Sequence, residues 1–117
     1  MFVLHKNAPI QPVAQALDRR IMAYTQALML VEMTMGKGAV GAMHTHPHHQ
    51  VDYVSEGAVD FTLGNETVRM EKGDSVYIPP NVPHGAVALE EHTILLDIFS
   101  PMRDEFIARK KQPLDSE

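Results

Sequence analysis

The sequence predicts an all-β domain: a small antiparallel sandwich or barrel, of which the jelly roll is one version, with one short helix at its end. Short segments that alternate apolar and polar residues recur from residue 17 to residue 99, and turn-forming or charged residues separate them. These joints fall at Glu56-Gly57, Gly64-Asn65, Lys72-Gly73 and Glu90-Glu91. Many short strands with turns this closely spaced are typical of antiparallel sandwiches and barrels.

The alternation predicts the strands one by one, at 17–23, 27–35, 50–55, 58–63, 67–72, 75–78, 85–89 and 93–99. In the second of these, the apolar residues near Leu28 occupy both faces, which predicts burial on two sides, including at a subunit interface. Before the first strand, Pro9 and Pro12 interrupt any regular period, so an irregular arm with room for a short edge strand is expected.

The segment from Met102 to Lys111 follows Pro101 and has the pattern of one short helix, with Phe106 and Ile107 as its apolar contacts. We therefore expect a single domain in three parts. These are an N-terminal arm (1–16), a barrel (17–100) and a C-terminal helix with its tail (101–117).

Composition limits the function classes. A chain of 117 residues with 44% hydrophobic residues fits one globular domain. A formal net charge of -5 argues against a nucleic-acid surface. No apolar run is long enough to span a membrane and the N-terminus lacks signal-peptide zones, so a cytoplasmic protein is expected. The absence of cysteine excludes disulfides and thiolate metal sites.

The stretch from Gly38 to Gly57 carries the strongest chemical signal. His44 and His46 are two positions apart and would share one face of an extended strand, and Gln50 follows after a turn at Pro47. Neutral imidazole nitrogen suits divalent ions such as Zn, Fe, Ni or Cu. This clustering predicts a metal site whose remaining ligand comes from elsewhere, and His84 is the candidate.

The joint pattern Gly38-x5-His44-x-His46-x3-Gln50-x6-Gly57, followed by Gly73-x5-Pro79-x4-His84, resembles the two signature motifs of the cupin family. The resemblance implies a jelly-roll cupin barrel that holds one divalent metal ion (Ni, Zn, Mn or Fe) on His44, His46, Gln50 and His84. The chain departs from the family pattern at three positions, where Gln50 replaces the usual glutamate, Asn81 a glycine and Ala88 an asparagine. Asn81 is a mild change because asparagine tolerates the left-handed backbone conformation.

Gln50 also bears on the chemistry. A carboxylate ligand would cancel part of the positive charge of the metal, whereas an amide oxygen cancels none of it. The full charge favours Lewis-acid chemistry over redox chemistry, although an iron oxygenase is not excluded. The alternative is that Gln50 makes no contact with the metal. Asp52 shares the strand parity of Gln50 and either points inward, ionised beside the cation, or faces solvent after a bulge. His48 and His49 are expected in a loop, facing solvent or supporting the ligands.

The last predicted strand adds a second set of residues. Asp97 and Phe99 share one face, and an aspartate in an apolar strand is costly unless it is paired, hydrated or employed. Together with the four metal residues, Asp97-x-Phe99-Ser-Pro-x-Arg103-Asp-Glu-Phe106 resembles the pectin-degradation cupins of the KdgF type. This resemblance implies conversion of a 4,5-unsaturated uronate to its linear keto form, with Asp97 and Arg103 as catalytic residues and Phe99 and Arg103 contacting the substrate.

Two other functions are compatible with the same residues. One is a cupin dioxygenase with Fe(II) at the histidines, and the other is a non-catalytic small-molecule-binding cupin. In every case the expected partner is a small molecule, here an acidic sugar, rather than nucleic acid or membrane. A small barrel with a loose N-terminal arm is also expected to form a homodimer.

Overall fold

A computed structural model of the protein describes residues 1–107. A single 3-10 turn (His5–Asn7) precedes the strands. In chain order the strands are β1 (Gln11–Ala14), β2 (Leu17–Tyr24), β3 (Met29–Met35), β4 (Val40–His44), β5 (His49–Glu56), β6 (Ala58–Leu63), β7 (Glu66–Glu71), β8 (Ser75–Ile78), β9 (His84–Ala88) and β10 (Thr93–Ser100). Residues 104–107 are helical and are called α1, which begins two residues later than the predicted start at Met102. Residues 108–111 of the predicted helix lie outside the described residues.

These strands form two antiparallel sheets. The larger has six strands in the order β1-β2-β3-β10-β5-β8, and the smaller has four in the order β4-β9-β6-β7. The all-β jelly-roll prediction is therefore confirmed. The expected edge strand within the N-terminal arm is β1, which pairs with β2 at one edge of the six-stranded sheet.

Side-chain alternation decides which face of each strand is buried. Along β10 every second residue is buried from Thr93 to Phe99, and β5 shows the same alternation. The buried apolar cluster draws on both sheets, so it lies between their inner faces; it comprises Leu17, Met35, Ala39, Val54, Val59, Phe61, Met70, Ile78, Ala86, Ala88 and Leu95. Polar residues on the inner faces of β5 and β10 consequently open into the space between the sheets.

Three details of the sequence interpretation can be compared with the structure. β4 ends at His44, so His46 lies in the following loop and does not share a strand face with it. Leu28 precedes β3 and is 53% exposed in the single chain, so its burial would require a second molecule and stays a prediction. Asn81 has a φ of 65°, which agrees with the expected left-handed conformation. Among the described residues, no helix is long and apolar enough to cross a membrane.

Candidate metal centre and cavity

Three histidines from separate parts of the chain converge at one end of the four-stranded sheet. His44 ends β4 and lies opposite His84, the first residue of β9, in the antiparallel register. His46 joins them from the loop. One ligand nitrogen from each ring lies within 4.8 Å of those of the other two. The sequence prediction that these three imidazoles come together is thus confirmed, and the triad could hold a metal ion.

Hydrogen bonds orient two of these rings for metal binding. Nδ1 of His44 donates to the carbonyl oxygen of Ala42 at 2.8 Å, and Nδ1 of His84 donates to that of Val82 at 2.9 Å. A carbonyl oxygen can only accept, so Nδ1 carries the proton and Nε2 keeps its lone pair. Nε2 of His84 is buried and has no hydrogen-bond partner among the described residues. Imidazoles fixed by a backbone carbonyl in this way are typical of metal ligands.

Gln50 lies beside the triad on β5. Its Oε1 accepts a hydrogen bond from Nε2 of His46 at 2.8 Å, and its Nε2 donates to Oδ1 of Asp52 at 2.7 Å. Within the Gln50 amide, the carboxylate of Asp52 can accept a hydrogen bond from the nitrogen but not from the oxygen. Asp52 therefore fixes the amide so that its oxygen faces the histidines. The inward orientation that was one of the two alternatives for Asp52 is therefore the observed one.

Burial favours the neutral form of His46 and of His84. It lowers the pKa of His46 to about 4, against the opposing hydrogen bond with Gln50, and the charge of Arg103 lowers it further. Burial also lowers the pKa of His84, and its hydrogen bond to Val82 only partly offsets this. Metal binding requires the unprotonated ring. Both rings are therefore in the metal-binding form at neutral pH.

Two buried carboxyl groups face each other beside this centre. Asp97 on β10 lies directly opposite Asp52 on β5 in the antiparallel register. Burial raises the pKa of Asp52 to about 6, although hydrogen bonds with Asp97 and Gln50 lower it. Burial and the neighbouring Asp52 carboxylate raise the pKa of Asp97 well above its ordinary value, against the positive charges of Arg103 and Arg19. Asp97 is thus the member of the pair that keeps its proton to higher pH.

An arginine and two phenylalanines form the neighbouring wall. The guanidinium carbon of Arg103 lies 5.2 Å from the ring centroid of Phe99 and 4.6 Å from that of Phe106. Its Nη2 and Nε both donate to Oε2 of Glu105, at 2.7 and 2.9 Å. Burial alone would raise the pKa of Glu105, but the bonds from Arg103 lower it overall. One edge of the Arg103 guanidinium is therefore already paired within the protein.

A cavity of about 350 Å³ connects these groups. Its polar and aromatic lining includes Arg19, His44, Gln50, Asp52, His84, Asp97, Phe99, Arg103 and Phe106. Apolar residues of both sheets, such as Met33, Phe61 and Leu95, form the rest of its wall. Of the site residues that the sequence predicted, His46 alone stands outside this lining, because Phe99 and Gln50 lie on its inner side. The volume suits a small ligand.

Comparison with known proteins identifies the family. Residues 31–99 match the family described as the cupin domain. This chain is a cupin. The cupin is 32% identical over 107 residues to the pectin degradation protein KdgF of Dickeya dadantii, which covers 91% of this chain and 97% of that protein. The resemblance to the cupin family, and to its KdgF-type members, is therefore confirmed.

Solved structures agree with this assignment. The structure of KdgF from Halomonas sp. superposes on the cupin with a TM-score of 0.87 at 38% identity, over 91% of this chain and 97% of the other. An RmlC-like cupin from Shewanella frigidimarina gives a TM-score of 0.85 at 36% identity, over 90% and 94% of the two chains. The family fold thus extends over nearly the whole chain.

One feature of this cupin was not foreseen. Arg19 on β2 lines the cavity, is 6% exposed and places its guanidinium carbon 3.8 Å from the Phe106 centroid. The signal was present in the sequence, because Arg19 has the strand parity of the apolar residues Leu17 and Ile21. His48 is buried, with its ring 5.2 Å from that of His46 and 6.4 Å from that of Phe99, which agrees with the alternative that it supports the ligands rather than faces solvent.

The next residue, His49, is exposed, and its Nδ1 lies 2.7 Å from the hydroxyl oxygen of Tyr77.

Proposed function

We propose that this cupin is a metal-dependent enzyme that converts a 4,5-unsaturated uronate to its linear keto form. The observation that carries the proposal is the shared cavity, whose lining includes His44 and His84 together with Asp97 and Arg103. The likeness to two KdgF proteins, one of them named for pectin degradation, supports the same substrate class.

The metal would be held by the three histidines together with the amide oxygen of Gln50. The side chains fit such an ion because they present neutral imidazoles and one oriented carbonyl oxygen, a donor set that accepts Ni, Zn, Mn or Fe. When bound, it supplies an uncancelled positive charge that stabilises negative charge on a substrate oxygen. The residues around it then have to position the sugar and move one proton.

The substrate chemistry requires a proton to leave one atom and arrive at another. The unsaturated uronate is an enol ether within a hemiacetal ring. The C1 hydroxyl loses its proton, the bond from C1 to the ring oxygen breaks, and C1 becomes an aldehyde while the former ring oxygen stays on C5 as an enolate. A proton added to C4 then turns C5 into a ketone. No atom is gained or lost, so a single group that both donates and accepts a proton is sufficient.

Asp97 is the group we assign to this proton transfer. Its raised pKa makes its carboxylate a stronger base than an ordinary aspartate, so it can accept the proton of the C1 hydroxyl and then donate that proton to C4. Asp52, opposite Asp97 in the register, accepts a hydrogen bond from the protonated carboxyl and so keeps it turned into the cavity. General acid-base catalysis of this kind contributes typically ~100 to 10,000-fold in rate.

Arg103 and Phe99 are assigned to substrate binding. The planar guanidinium of Arg103 suits a carboxylate, and the donors that do not face Glu105 would bind that of the sugar. Phe99 is 2% exposed and offers an apolar face to the sugar ring. A neutral sugar would lose the contact with Arg103, so the enzyme is expected to prefer acidic sugars.

The decisive experiment incubates the metal-loaded protein with unsaturated monouronates prepared from pectin and from alginate. Loss of the absorbance of the conjugated alkene reports the reaction, and chelator-treated protein is the control. We expect loss with the loaded protein at a rate well above that of the chelated sample. Unchanged absorbance with both monouronates, in protein shown to contain metal, would refute the proposed activity. Oxygen uptake in the same cuvette would indicate a dioxygenase instead.

We further propose that this cupin forms a homodimer. Large apolar side chains stay exposed in the single chain, among them Leu28 before β3 and Tyr53 and Tyr77 on the outer side of the six-stranded sheet. Apolar area of this kind is commonly covered by a second copy of the same chain.

A further inference from the structure

Arg19 stands out among the residues to which the proposed reaction gives no role. It belongs to the inner face of β2, where its neighbours of the same parity, Leu17 and Ile21, are buried and apolar. Removing a cation from water costs several kcal/mol, even after the protein relaxes around it. An arginine is therefore an expensive way to fill this position, unless its charge is used within the cavity.

The guanidinium of Arg19 is held in a fixed place. Its Nε donates to Oε1 of Gln11 at 2.9 Å, and Gln11 lies opposite Arg19 in the pairing of β1 with β2. Its carbon lies 3.8 Å from the centroid of Phe106. An amide on one side and an aromatic ring on the other orient the planar group before any ligand arrives, which reduces the entropy lost on binding.

Arg103 shares that same aromatic ring. Its guanidinium carbon lies 4.6 Å from the Phe106 centroid, so two arginines from opposite ends of the described chain are close neighbours around one ring. Glu105 takes the Nε and Nη2 edge of Arg103. Two guanidinium groups in one cavity wall repel each other, and an anion between them would relieve that repulsion.

A chain of ring contacts links this pair of arginines to the histidines. The centroids of His46 and Phe99 are 5.8 Å apart and those of Phe99 and Phe106 are 5.9 Å apart, and Arg19 contacts Phe106. The charge of Arg19 also lowers the pKa of Asp97, although burial and Asp52 outweigh it. Arg19 therefore lines the same cavity as the metal-binding and proton-transferring residues.

We propose that Arg19 is a second carboxylate-binding residue, which grips the acidic group of the substrate together with Arg103 beside Phe106 in the cavity. This inference rests on the proposed function for the identity of the ligand as an acidic sugar. It explains why a residue of the N-terminal arm, Gln11, contributes to the site. It also makes acid recognition depend on β2, far in sequence from the metal residues.

The test measures binding without turnover. D-galacturonate lacks the 4,5 double bond and D-galactose lacks the carboxylate, so calorimetric titration of the metal-loaded protein with each sugar isolates the contribution of the acid group. Arg19→Met keeps the apolar stem against Phe106 but removes the charge, whereas Arg19→Lys keeps the charge but loses the planar fork. Arg20→Met is the matched control, since it removes one arginine from the outer side of the same strand, where Arg20 pairs with Glu32.

Arg19→Met should weaken galacturonate binding by about 10- to 100-fold, as expected for lost hydrogen bonds to a charged group, and leave galactose binding unchanged. Arg19→Lys should fall between this variant and wild type. Arg20→Met should stay within about twofold of wild type. Metal content and the melting temperature of each variant are recorded alongside, and Arg19→Lys supplies the comparison if Arg19→Met fails to fold.

Two results would overturn the proposal about Arg19 while leaving the reaction in place. One is wild-type preference for galacturonate in Arg19→Met, or in Arg19→Lys if only that variant folds. The other is an equal loss of affinity for both sugars, which would mean that Arg19 only shapes the cavity. If the wild-type protein binds galacturonate no better than galactose, its preference for acidic sugars is absent, and the role of Arg19 falls together with that of Arg103. Turnover of unsaturated uronate is measured separately and decides the proposed function.

Discussion

Replacing Asp97 by asparagine gives the sharpest test of the proton-transfer step. The two side chains have nearly the same shape, and burial and the neighbouring Asp52 raise the pKa of Asp97, which favours its neutral form. A neutral amide should therefore be tolerated at this buried position on β10. The fold and the metal content should be retained, so any loss of activity reports chemistry rather than structure.

The expected size of the effect follows from the role assigned to Asp97. Losing a general acid-base group lowers kcat by ~100 to 10,000-fold, or about 3 to 5 kcal/mol of barrier. The Michaelis constant should change little, because the carboxylate-binding arginines are untouched. Asp60→Asn on β6 is the matched control, since Asp60 does not line the cavity and should keep wild-type turnover.

The pH dependence of stability provides a second readout. Because the folded-state pKa of Asp97 is raised, its contribution to wild-type stability is complete at acidic pH and is lost as the pH rises through that pKa. The asparagine of Asp97→Asn does not ionise. The melting temperature of this variant, relative to that of wild type, should therefore rise as the pH increases. Wild-type kcat in Asp97→Asn, with metal content equal to that of wild type, would remove Asp97 from the mechanism.

Four further predictions concern other parts of the site and the assembly. Burial raises the pKa of Asp52 from 3.8 to about 6, so Asp52 should contribute at most about 3 kcal/mol to the fall in stability of chelator-treated protein as the pH rises across that interval. In denaturant titrations Asp52→Asn should remove this share and leave the part due to Asp97. His84→Ala should lose stoichiometric metal on dialysis, measured by elemental analysis; full retention would contradict the ligand assignment. Arg103→Ala should raise the Michaelis constant for unsaturated uronates by about 10- to 100-fold, with a smaller effect on kcat. If the wild-type enzyme processes neutral and acidic sugars equally well, the role assigned to Arg103 is wrong. Light scattering at micromolar concentration should report a dimer, and a monomer would contradict the proposed assembly.

Much of the site could be predicted from the sequence because strand parity and turn residues are local properties. The alternation along β10 correctly put Asp97 and Phe99 on one face, and the parity of Asp52 with Gln50 offered the observed inward orientation as one of two alternatives. His46 was assigned to the wrong element because alternation cannot show where a strand ends. Arg19 was overlooked because a charged residue in an apolar strand is ordinarily read as facing water.

Sequence by itself determined which residues alternate, where the chain turns and which side chains can bind a metal, since each of these depends on near neighbours along the chain. The tertiary structure alone decided which of them meet. His44 faces His84 because β4 pairs with β9, and Asp52 faces Asp97 because β5 pairs with β10. Strand pairing joins residues that are forty positions or more apart in the sequence. Its register depends on burying apolar faces throughout both sheets at once, which no single stretch of the chain can specify.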